Sequence, residues 1–196
     1  MYNIAVFASG GGSNLQAIVD GCKSGRLNAR VCVVISNNSG SMALERARNE
    51  GIPAFHFSLS VIKDAELLEK SIFDTLIAHE THLIFLAGYM KKVSPIVFET
   101  YKGRIYNIHP SLLPKYGGKG MYGINVHKAV LEANEQETGI TIHHVAGDEY
   151  DEGEIIAQKK VPVLKEDTPE TLATRVLDQE HVFIVEALLK ILSSLT

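Results

Sequence analysis

Residues 3–24 read NIAVFASGGGSNLQAIVDGCKS, and this order of residue types decides the fold. An apolar run rich in Ile, Val and Phe closes at Phe7, three glycines follow, and a helical pattern opens at Ser13. Leu15, Ile18, Val19 and Cys22 stand at i, i+3, i+4 and i+7, one face of a helix, and Gly25 is placed to end it. Glycines let backbone N–H groups approach a ligand, and a helix N-terminus favours an anion. A phosphate therefore suits the turn formed by Gly11, Gly12, Ser13 and Asn14. The residues alone also allow a tight turn with no ligand. Common nucleotide fingerprints do not fit. GxxxxGK[ST] is absent, and Leu15 stands where G-x-G-x-x-G needs its last glycine. Ser36, Asn37 and Asn38 close the second apolar run without the acid that a dinucleotide ribose usually needs.

The same rhythm continues outward. Residues 29–36, 53–57, 82–88 and 104–109 read as strands, and helical patterns cover 41–50 and 65–79. Alternation of this kind predicts parallel strands, right-handed crossovers and helices on both faces. The second half differs. Residues 139–145 and 155–163 read as strands joined by an acidic loop, so an antiparallel strand is expected there. Thr168, Pro169 and Glu170 form a helix start: capping hydroxyl, proline at the first position, acid at the positive end. That helix runs towards Leu195. The expected fold is α/β, three layers, with an open, mostly parallel sheet of about seven strands and one antiparallel strand in the C-terminal half.

No repeat, linker or low-complexity tract interrupts residues 1–196, so one domain is expected. The chain of 196 residues can bury a substantial core. A composition of 45% hydrophobic and 21% charged residues is globular and not disordered. The net charge of -4 argues against nonspecific nucleic-acid binding. The two cysteines, Cys22 and Cys32, have no metal spacing and read as buried free thiols in a reducing compartment. The N-terminus has neither a basic start nor a long apolar run, so it reads as neither signal peptide nor membrane span, and a cytoplasmic protein is expected.

Three further constellations stand out. In NIHPSLLPKYGGKG, residues 107–120, Asn107 and His109 point to one side of a strand that stops at Pro110. A carboxamide and an imidazole at the carboxyl end of a strand can hold an oxyanion and move a proton. Satisfaction by loop backbone is the other reading. In HHVAGDEYDEGE, residues 143–154, Asp148, Glu149, Asp151, Glu152 and Glu154 crowd one loop. Tyr150 stands where a calcium loop needs an oxygen ligand, so solvated acids, one of which orients a histidine or accepts a proton, fit better. Glu180 falls within the apolar stripe of Val176, Leu177, Phe183, Ile184, Ala187 and Leu188. It either sits at the rim or meets a polar ligand. The eight histidines form no HExxH and no set with metal spacing, so no metal is expected.

Together GGGSNLQAI, SNNSGSMALERARNEGIP, LAGYMKKVSP, NIHPSLLPKY, DEYDEG and the helix carrying QEH resemble the phosphoribosylglycinamide formyltransferases in kind, order and spacing. These belong to the folate-dependent formyltransferase superfamily, and the resemblance covers nearly the whole chain. It implies a Rossmann-like fold and transfer of a formyl group from 10-formyltetrahydrofolate to the amine of glycinamide ribonucleotide, in purine synthesis. Neither ATP nor a metal takes part, and the protein is a monomer or homodimer with small-molecule partners only. By the same resemblance Asn107, His109 and Asp151 are catalytic. Gly11, Gly12, Ser13 and Asn14 cradle the phosphate in the N-terminal half, with Met90, Pro110 and Glu180 on the ribonucleotide. Leu86, Met90, Lys91, Lys92, Val93, Val145, Asp148 and Asp151 line the folate pocket.

The chain departs from the family pattern in places. Gly11 stands where asparagine is common, Gly117 and Gly118 where the family often has Pro-Gly, and Glu154 where proline is frequent. Sibling enzymes that act on methionyl-tRNA or hydrolyse formyl-folate are the nearest alternatives, and each carries an extra domain. A non-enzymatic phosphate-binding module explains the glycine loop, but not Asn107, His109 and Asp151 together.

Overall fold

The computed structural model describes residues 1–147 and 151–195. The chain runs β1 (Tyr2–Phe7), α1 (Ser13–Lys23), β2 (Ala29–Ser36), α2 (Met42–Asn49), β3 (Ala54–His56), α3 (Ala65–Ala78) and β4 (Leu83–Leu86). It continues through α4 (Pro95–Thr100), β5 (Ile105–His109), α5 (Ile124–Glu132), β6 (Glu137–His144), β7 (Ile155–Pro162) and α6 (Pro169–Ser194). The strands form one seven-stranded sheet in the order β3-β2-β1-β4-β5-β6-β7. Pairs from β3 to β5 are parallel, and β6 lies antiparallel to both β5 and β7. One strand is therefore reversed, as the missing helix between the last two apolar runs implies.

Burial on both faces explains why the strands read as continuous apolar runs. In β1, Ile4 and Val6 face one core, while Ala5 and Phe7 face the other. The first core is closed by Leu15 and Ile18 of α1, Leu44 of α2, Val130 of α5 and Val176, Ile184 and Leu188 of α6. The second is closed by Ile72 and Leu76 of α3 and Val97 of α4. Each fully buried Leu or Ile contributes about 1.5–3 kcal/mol relative to exposure. Three layers result, with helices on both sides of the sheet.

Several details depart from the expectation. Two helices, α4 and α5, occupy segments to which the sequence reading assigns no element. The first has only six residues, too short for periodicity to show, although Ser94 and Pro95 are an N-cap and first-turn pair. The second starts after Gly123, whose φ of 54° ends the glycine-rich stretch. Cys32 is buried as expected, but Cys22 is only half-buried. The last helix is held at its start by a capping box between Thr168 and Thr171 and by a two-pronged ion pair of Arg175 with Asp167 at 2.6 Å.

Candidate active site

Strand order reverses between β1 and β4, and ligands in open α/β sheets bind outside the strand ends at such a point. There the glycine turn is shaped by α2. The carbonyl of Gly10 accepts from Ser41 Oγ at 2.9 Å and from the Ala43 N–H at 3.1 Å. The carbonyl of Gly11 accepts from Arg46 Nε at 2.9 Å. A trans peptide sets N–H opposite C=O, so the N–H groups of Gly11 and Gly12 turn away from α2. They precede the first N–H groups of α1, which has no side-chain cap. Gly12 has φ 71°, and a Cβ there would stand 2.6 Å from the Cα of Ala43. Its lack of a side chain thus serves packing against α2.

At the ends of β5 and β6, three expected residues converge. His109 Nδ1 lies 3.5 Å from Asp151 Oδ2, and Asn107 Nδ2 lies 3.4 Å from Asp151 Oδ1. The backbone of the 116–118 segment completes the group. Gly118 N–H donates to Asp151 Oδ2 at 2.9 Å, and His109 Nε2 donates to the Tyr116 carbonyl at 2.7 Å. Because a carbonyl only accepts, His109 Nε2 carries a proton, and Nδ1 is the ring nitrogen that faces Asp151. Tyr116 and Asp151 have φ of 56° and 60°, so both flanks of His109 hold strained backbone. Burial pulls the His109 pKa below its ordinary value, against the opposing pull of Asp151 and the Tyr116 carbonyl. Burial pushes Asp151 up. The neighbouring His143 ring, His109 and the Gly118 N–H together outweigh it, so the carboxyl lies below the ordinary aspartate value.

Glu180 resolves the two readings of its position in the stripe. It is 6% exposed, so it does not sit at a rim. Asn14 Nδ2 donates to its Oε2 at 2.6 Å, while Asn14 Oδ1 is buried without a partner among the described residues. Burial pushes the Glu180 carboxyl up to about 7, against the opposing pull of Asn14.

One cleft of about 840 Å³ joins these parts. Asn14, Met90, Asn107, His109, Pro110, Asp151 and Glu180 all line it. Gly11, Gly12 and Ser13 lie beside it without forming its wall. Leu86 is buried in the second core, and Val93 and Val145 pack against that core. Lys91 and Lys92 are exposed and do not line the cleft. Asp148 lies outside the described residues.

The sequence reading missed four contributors. His143, 2% exposed, pairs directly opposite Asn107 across the antiparallel β5–β6 ladder. Its Nδ1 donates to the His144 carbonyl at 2.8 Å, so its Nε2 accepts from Asn107 Nδ2 at 3.1 Å. Ser9 joins the glycine turn to the next loop: its Oγ accepts from the Met90 N–H at 2.8 Å and contacts Asn37 Oδ1. His127 and Lys119 also line the cleft, from α5 and the turn before it. Only the ladder register and the glycine-rich stretch hinted at any of them. Among the described residues no group of three or more His, Cys, Asp or Glu side chains is arranged for a metal ion, and no helix is long and apolar enough to cross a membrane.

Comparison with known proteins places the chain in a family. The family model described as formyl transferase matches residues 2–188. A protein of Arabidopsis thaliana named phosphoribosylglycinamide formyltransferase, chloroplastic, is 45% identical over 184 residues, 93% of this chain. The chain spans only 63% of that relative's length. The Escherichia coli phosphoribosylglycinamide formyltransferase is 40% identical over 179 residues, covering 91% of this chain and 82% of the relative. The crystal structure of phosphoribosylglycinamide formyltransferase from Bacillus halodurans superposes with a TM-score of 0.89 at 36% identity, covering 99% of this chain and 97% of that one. With the match spanning nearly every element that builds the cleft, the chain belongs to the formyl transferase family.

Proposed function

We propose that this protein transfers the formyl group of 10-formyltetrahydrofolate to the amine of glycinamide ribonucleotide, giving formylglycinamide ribonucleotide and tetrahydrofolate. The observation that carries the reading is one cleft holding both Asn107–His109–Asp151 and Asn14–Glu180. A phosphate fits the N–H groups at the start of α1, and Glu180 meets the ribonucleotide between that cradle and the reacting atoms.

In the reaction, the amine nitrogen attacks the formyl carbon and the formyl oxygen becomes an oxyanion. Asn107 holds one Nδ2 hydrogen on His143. The other makes only the 3.4 Å contact to Asp151 and turns to the oxyanion. The amine proton passes to the His109–Asp151 pair, entering at Nδ1, where Asp151 stabilises the resulting imidazolium. That proton then moves to the folate nitrogen as its bond to carbon breaks. The steps balance without ATP or a metal ion. Formyl-folate occupies the side of the cleft lined by Gly88, Tyr89 and Met90.

The test is an assay of purified protein with both substrates, following loss of formyl-folate. Turnover that needs the ribonucleotide supports the transferase. Turnover without any amine makes the protein a hydrolase instead.

A further inference from the structure

The cleft contains two carboxyls, Asp151 and Glu180, and the substrate proposed above brings a phosphate of nearly two negative charges. The N–H cradle and helix dipole offer about half a positive charge. Among the described residues lining the cleft, Lys119 is the single lysine or arginine. It is exposed and makes no hydrogen bond or ion pair among the described residues.

The backbone displays this lysine deliberately. Met121 N–H donates to the Gly118 carbonyl at 3.1 Å, closing a four-residue turn with Lys119 and Gly120 at its centre. Gly120 has φ 88°, the left-handed value such a turn needs at its third position. The near end is tied to Asp151 through the Gly118 N–H, and the far end to Asn125, whose Nδ2 donates to the Gly120 carbonyl at 3.3 Å. From α6, Ala173, Val176, Leu177 and Glu180 line the cleft, and no cation of that helix does.

We propose that Lys119 binds the phosphate of the ribonucleotide and makes the enzyme specific for a phosphorylated amine. This rests on the reaction assigned above. Lys119 closes on the phosphate from the side opposite the cradle, and its flexible stem allows the turn to stay in place while the ammonium moves.

Two-substrate kinetics on the parent, Lys119→Ala and Lys119→Arg test this, with melting curves to establish folding. A charge-assisted contact predicts a rise of roughly ten- to one-hundredfold in KM for glycinamide ribonucleotide in Lys119→Ala. Lys119→Arg should recover most of it. The penalty should shrink with added salt and be absent with glycinamide riboside, which has no phosphate. An unchanged ribonucleotide KM, or an equal loss with the riboside, overturns the proposal. So does a rise in the formyl-folate KM alone, which would assign Lys119 to the folate carboxylates. If the parent transfers no formyl group at all, the reaction reading falls. Calorimetric titration with inorganic phosphate then decides Lys119 separately: weaker binding in Lys119→Ala keeps the phosphate site, and equal binding removes it.

Discussion

Asn14 Nδ2 and Glu180 Oε2 meet at 2.6 Å across 166 residues of sequence, joining the first helix to the last inside the cleft. The bond holds a carboxyl whose burial pushes it up to about 7 from 4.5. The folded state therefore keeps a proton that the unfolded chain releases. Below pH 4.5 both states are protonated and the site costs nothing. Between pH 4.5 and 7 stability falls, and above 7 the loss is complete, on the order of 3 kcal/mol.

Glu180→Gln keeps an acceptor for Asn14 and removes the ionisation. Chemical denaturation should find this variant more stable than the parent at pH 8 and little changed near pH 4.5. The same change should raise the KM for glycinamide ribonucleotide. Equal stability differences at both pH values would refute the burial argument.

Asn107→Ala, His109→Ala and Asp151→Asn should each lower kcat by at least about 100-fold, with small changes in KM. The losses should not add, because the three groups serve one oxyanion and one proton. Steady-state rates of single and double variants check this. Near-normal kcat in His109→Ala would remove the assignment.

His143→Ala takes away the acceptor that holds the Asn107 amide. A fall of tenfold or more in kcat is expected, together with a lower Tm, because the ring is 2% exposed. The two readouts separate a positioning role from packing alone. A lowered Tm with unchanged kcat would leave His143 purely structural.

Gly12→Ala forces a Cβ towards the backbone of Ala43 at φ 71°. Overpacking of this kind costs about 1–3 kcal/mol, so Tm should drop whether or not substrate is present. An unchanged Tm would show that α2 yields easily. Ser13→Ala has no such clash and isolates the cradle: its ribonucleotide KM should rise modestly while Tm stays constant.

Much of this molecule was legible in its residues. Alternating apolar runs and helical faces predict the parallel half, because both sheet faces are covered and every inward position must be apolar. The absence of a helix between the last two runs predicts the reversed strand. Asn107, His109 and Asp151 were legible as types of side chain, but their meeting depends on the loop after β6 and on Tyr116 and Gly118, which no periodicity reveals. His143 stayed hidden because only the β5–β6 register sets it opposite Asn107. The helix α4 escaped because one and a half turns carry no repeat to detect.

The position of α6 has a consequence for how the protein is born. Ten of its 26 residues are buried, and it packs on α1 and α5 while bringing Glu180 to the cleft. Synthesis proceeds from the N-terminus, so a nascent chain can display the glycine turn and the whole β5–β6 chemistry before this helix exists. Such a chain has an uncovered core and lacks Glu180. On the reaction proposed above, competence to bind the ribonucleotide therefore arrives with the last helix, and acts as a marker that the core has been sealed.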